Sequence, residues 1–111
     1  MMLASTLVFL LASACETKTT AVACEQMELG RAKDECLHSE IKTLDANQSQ
    51  QVLSKAKLIQ DPMIRGAAVS AWIGDNNNNV DSNTGQALCT LLDGRDRSYC
   101  MRRLSSPHLK R

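Results

Sequence analysis

The chain has 111 residues, a formal net charge of +1, and is 43% hydrophobic but only 3% aromatic. That length allows one small domain rather than several. A core so poor in aromatics must be built mainly from Ala, Leu, Ile, Val and Met, a mixture that favours helix over strand.

The opening MMLASTLVFLLASAC carries a near-continuous apolar run from Leu3 to Ala12. Its length suits the core of a signal peptide and is short of the ~20 residues a bilayer-spanning helix needs. Small residues Ala12, Ser13 and Ala14 then lead into Cys15. This segment resembles the leader of bacterial lipoproteins. The resemblance implies cleavage after residue 14 and a lipid on the sulfur of Cys15. It covers the leader alone and implies no fold. With Glu16 rather than Asp after the cysteine, it further implies the outer membrane, facing the periplasm. The alternative is plain secretion, because Ala12-Ser13-Ala14 also fits an A-x-A cleavage site. The cysteine count of five bears on the choice. If Cys15 carries lipid, the remaining four can all pair in an oxidising compartment. The expected organisation is therefore a signal peptide over 1–14, a lipidated tether over 15–22, and one helical domain over 23–111.

Helical signals begin near Thr20 and run to Leu29, where Gly30 offers a terminus. A second helix is expected from Arg31 to Leu44, with Leu37, Ile41 and Leu44 on one face. Gln48 to Gln60 predicts a third, with Val52, Leu53, Ala56 and Ile59 inward. Asp61-Pro62 is a start signal, because Asp caps and Pro suits the first helical position. The fourth helix is expected over Pro62–Ile73, burying Ile64, Ala67, Ala68, Ala71 and Trp72. Its small residues would let a neighbouring helix approach. A polar loop should follow from Gly74 to Asn83, then a fifth helix from Thr84 to Leu92 and a sixth from Arg95 to Leu104. Ser105-Ser106-Pro107 closes that helix. The expected fold is an all-α bundle of about six short helices stapled by two disulfides.

The stapling follows from a near-repeat: CEQMELGRAKDEC at 24–36 and CTLLDGRDRSYC at 89–100. Each places Gly-Arg between two cysteines. On an unbroken helix, residues eleven apart are separated by ~16 Å along the axis, whereas a disulfide needs Cα atoms within ~7 Å. Pairing Cys24 with Cys36, or Cys89 with Cys100, therefore requires the chain to fold back at the intervening glycine, where an unusual backbone conformation is cheap. The alternative is a nested pairing, Cys24 with Cys100 and Cys36 with Cys89. Zinc sites favour closer C-x2–4-C pairs and redox enzymes C-x-x-C, so no metal or cofactor is expected.

Other motifs carry little. DNNNNVDSNTGQ at 75–86 puts Asp75, Asn77, Asn79 and Asp81 at calcium-loop positions, but Val80 replaces the required Gly and Gln86 the closing Glu. His38 would lack a nucleophile if Cys36 is oxidised. Trp72 reads as core. No catalytic motif is legible, so a non-enzymatic role is expected. Charge is uneven, however. Residues 93–111 hold six Lys/Arg (Arg95, Arg97, Arg102, Arg103, Lys110, Arg111) against Asp93 and Asp96. Such an end suits an acidic protein or envelope polymer as partner, with no nucleic acid or small-molecule substrate indicated. A pilotin-like secretion accessory is a narrower alternative, suggested by size and class alone.

Overall fold

The computed structural model describes residues 23–105. Five α-helices account for most of that span: α1 (Arg31–Lys42), α2 (Ser49–Leu58), α3 (Pro62–Asn76), α4 (Ser82–Thr90) and α5 (Gly94–Ser105). Short 3-10 turns precede α1 at Cys24–Gln26 and α2 at Ala46–Gln48. Among the described residues there is no strand, and no helix is long and apolar enough to cross a membrane.

The helices close a ring. α1 packs on α2, α2 on α4, α4 on α5, α5 on α3, and α3 back on α1. Inside lie Leu37, Ile41, Val52, Ile59, Val69, Ile73, Leu88 and Leu92, all 2% exposed or less. Among the described residues Trp72 is the one large aromatic of this core, and its indole N–H donates to the carbonyl of Leu44 at 2.8 Å. That bond satisfies a donor that burial would otherwise penalise.

Local chemistry sets the helix starts. Asp61 accepts from the amide of Met63 at 2.8 Å, with Pro62 at the first helical position. Asp81 accepts from the amide and hydroxyl of Thr84. Asp45 and Gln48 cap each other's backbone reciprocally. Each device satisfies amides that have no partner within the helix.

Two expectations are corrected. The helix expected to end at Leu29 is only the turn Cys24–Gln26 in its described part, followed by extended chain at Met27; Thr20, Ala21 and Val22 lie outside the described residues. Met27 and Leu29 are spaced two apart and cannot form a helical stripe, and Leu29 is left exposed. Five helices thus replace about six. Second, α3 continues past Ile73 through Gly74, Asp75 and Asn76, and Ala67 and Ala71 face outward. Ala68 and Trp72 are buried as expected, Ile64 is half-buried, and Gly66, Val69, Ile73 and Gly74 complete the buried face.

α5 packs closely on both α3 and α4. A Cβ on Gly66 would lie 2.8 Å from Asp96 Oδ2, and one on Gly85 would lie 2.6 Å from Leu104 Cδ1. A Cβ on Gly74 would occupy the space of the Arg103 guanidinium. All three glycines inside helices α3 and α4 therefore make room for α5. Glycine costs about 1 kcal/mol against alanine in a helix interior, and the close packing offsets that cost. Asn77, just beyond α3, donates from its side-chain amide to the Arg103 carbonyl at 2.8 Å and fixes the same junction.

Candidate functional site: the disulfide corners and the outer face of α5

The two corners form as local pairs. Cys24 bonds to Cys36 with Cα atoms 5.6 Å apart, and Cys89 bonds to Cys100 at 5.5 Å. The glycine between each pair takes a positive φ, 143° at Gly30 and 48° at Gly94, a region that side chains disfavour. The corners differ in setting. Cys89 and Cys100 are both fully buried, whereas Cys36 is half-buried and its partner Cys24 is buried.

The first corner is tied down by charges that sequence spacing does not reveal. Lys55 of α2 donates to Glu25 at 2.7 Å and to Glu40 at 2.8 Å. The hydrogen bond from Lys55 is the main reason the Glu25 carboxyl titrates below its ordinary range. The bonds to Glu25 and then Glu40 raise the Lys55 ammonium above its usual value. Buried Asp34 accepts from the amides of Gln60 at 2.9 Å and Asp61 at 3.0 Å. It thereby fastens the first turn of α1 to the α2–α3 connection. Arg65 makes an equivalent tie further on, donating to the carbonyl of Ile59 and, at 3.5 Å, to that of Leu91.

The basic end divides by role. Arg97, although exposed, is tied to the fold, donating to the carbonyls of Leu92 at 2.9 Å and Thr90 at 3.0 Å, where α4 ends. A cation there also suits the negative end of the α4 dipole. Arg95 and Arg102 make no side-chain hydrogen bond or ion pair to another described residue. With Tyr99 they fall at helical spacing of four and three residues, which aligns all three on the solvent face of α5. Tyr99 is 42% exposed. Its hydroxyl accepts from Arg103 at 2.7 Å, and its ring lies 5.4 Å from the Arg103 guanidinium and 6.0 Å from that of Arg102. Cations at such distances are attracted to the aromatic face. Arg103 is also held over Gly74. The site is thus an arginine–tyrosine strip whose flank is preorganised. Reading the basic residues alone misses Tyr99, though its spacing from Arg95 and Arg102 is the signal that finds it. Lys110, Arg111 and Cys15 lie outside the described residues.

The remaining motifs become structural parts. Asp75 lies within α3, Asn77 is buried against α5, and Asp81 caps α4, so these three groups do not converge as calcium ligands. His38 is half-buried on α1, and Cys36 is in a disulfide. A groove of about 500 Å³ runs between the end of α1 and α3, lined by Lys42, Leu44, Asp45, Ala71, Trp72 and Asp75 among others.

These features define a small all-helical bundle with two disulfide-closed corners and a basic helix face. No family model, curated protein or solved structure matches the chain.

Proposed function

We propose that the protein is an outer-membrane lipoprotein, anchored through Cys15 and facing the periplasm, whose α5 face binds an acidic segment of another envelope protein without catalysis. The observation that carries the binding reading is the alignment of Arg95, Tyr99 and Arg102 on the open side of α5, with Arg103 pinned beside them. Guanidinium groups suit planar, bidentate recognition of carboxylates. Tyr99 adds a rigid amphipathic contact of the kind enriched at interfaces. Asp93 and Asp96 at the start of the helix interrupt the positive strip. A polymer of uniform negative charge would be repelled there, whereas a folded partner can place its acids selectively. The anchor rests on the leader, and the non-enzymatic assignment on the absence of a nucleophile–base motif in the sequence.

The test places a photocrosslinking amino acid at Ser98, between Arg95 and Arg102, in cells. The expected result is one dominant protein adduct that disappears when Arg95 and Arg102 become Glu. An adduct that survives charge reversal would overturn the role of the strip. Intact mass of membrane-extracted protein tests the anchor separately: cleavage before Cys15 with added acyl chains is expected, and an unacylated soluble product would refute it.

A further inference from the structure

The Cys24–Cys36 corner has a neighbour that the other corner lacks. The sulfurs of Cys24 and Cys36 and a carboxylate oxygen of Glu40 all lie within 4.8 Å of one another. We propose that this corner is a redox-gated site for a thiophilic divalent cation such as Zn2+ or Cd2+, closed by the disulfide and opened by a dithiol reductant. The site is independent of the α5 reading.

The ligand set follows from the local fold. Cys36 and Glu40 stand four residues apart on α1, so their side chains share one face of the helix. The 3-10 turn brings Cys24 to that face, and Gly30 lets the chain return. A spacing of twelve residues between the cysteines hides this arrangement from any motif search. With Cα atoms 5.6 Å apart, the two sulfurs stay close enough after reduction to share one ion. Two thiolates select soft or borderline cations over calcium and magnesium. Three protein ligands leave a fourth, tetrahedral position for water.

Charge supports the assignment. Two thiolates and a carboxylate on a divalent ion leave a net charge of −1. Lys55, bonded to Glu40 at 2.8 Å and Glu25 at 2.7 Å, shares its positive charge between the two carboxylates, so the corner carries the same net −1 with the disulfide as with two thiolates and a divalent ion. The Cys89–Cys100 pair is fully buried and belongs to no such group of three among the described residues.

Opening requires a balanced exchange. A thiolate of the dithiol attacks the sulfur of half-buried Cys36, forming a mixed disulfide, and Cys24 leaves as thiolate. The second thiolate of the reductant then closes its own disulfide and releases Cys36. The protein gains two electrons and two protons and the reductant is oxidised. Metal binding subsequently expels the two thiol protons.

The experiment uses the full chain with Cys15→Ser, so that no fifth thiol competes, reduced anaerobically with dithiothreitol that is then removed. Alkylation and mass spectrometry should find Cys24 and Cys36 reduced before Cys89 and Cys100. Cd2+ titration, followed by thiolate-to-metal absorbance, should saturate at one ion per chain, and the oxidised protein should bind none. Glu40→Gln should weaken the affinity at least tenfold, in line with the loss typical for groups that tune a metal site. Bound Cd2+ should also protect Cys24 and Cys36, but not an added thiol, from alkylation. Equal affinity in Glu40→Gln, or a stoichiometry other than one, would mean mere chelation by loose thiols and would overturn the proposal. So would binding that requires Cys89 and Cys100, or helix content lost on reduction and not regained with the ion.

Discussion

Removing the Cys89–Cys100 bridge tests how this aromatic-poor domain stays folded. The bridge closes a loop of eleven residues and the other closes one of twelve. Restricting the unfolded chain by a loop of that length stabilises the fold by about 3 kcal/mol per bridge. A domain of this kind has about 5–15 kcal/mol in total, so one bridge is a large fraction of it. At roughly 4–8 °C per kcal/mol, Cys89→Ala with Cys100→Ala should lower the melting temperature by about 12–24 °C. The double substitution also takes two sulfurs out of a sealed part of the core, since both residues are 0% exposed. Empty space there adds to the loss. Thermal and urea melts followed by circular dichroism, with and without reductant, measure both contributions. Reductant should lower the melting temperature of the wild type by more than the loop-closure loss of one bridge once both open, and should lower that of the substituted protein further through Cys24–Cys36. If fully reduced wild type melts with the oxidised protein, the staples are ornamental and the reasoning fails.

Asp34→Ala should destabilise by about 2–4 kcal/mol, because it strands two amides at the α2–α3 connection in a buried place; Asp34→Asn, which keeps one acceptor, should lose less in the same urea melts. Gly85→Val should lose about 1–3 kcal/mol, since even a Cβ meets Leu104 at 2.6 Å and the leucine must shift. Adding Leu104→Ala to Gly85→Val should recover part of that loss if the clash is the cause. The Glu25–Lys55 pair gives a pH signature. The depressed Glu25 contributes stability present above its unfolded pKa and lost as pH falls through its lower folded pKa. The raised Lys55 contributes stability present below its unfolded pKa and lost as pH rises through its higher folded pKa. Lys55→Met should therefore flatten both the acid and the alkaline limb of stability against pH, and unchanged limbs would show the pair to be energetically silent.

Composition and punctuation carried the helical class a long way. Pro62 after Asp61, the spacing of Leu37 and Ile41, and the glycine between each cysteine pair act over one or two turns, so they can be read locally. Cysteine spacing allowed local pairs folded back at a glycine but left the nested pairing open, and the packing of the helices decides for the local ones. Other features depend on distant partners. Gly74 leaves open the space that the guanidinium of Arg103, twenty-nine residues later, occupies. Arg97 and Arg102 look alike in sequence and both are exposed, yet Arg97 hydrogen-bonds the carbonyls at the end of α4 whereas Arg102 makes no side-chain hydrogen bond to another described residue. Likewise Lys55, Glu25 and Glu40 come from three elements, and only their packing makes them one cluster. The sequence by itself determined which segments can be helical and where the chain can turn, because propensity, capping and loop closure are short-range. The tertiary structure alone decided which charges are engaged and which remain open, because that depends on what each helix meets when the ring closes.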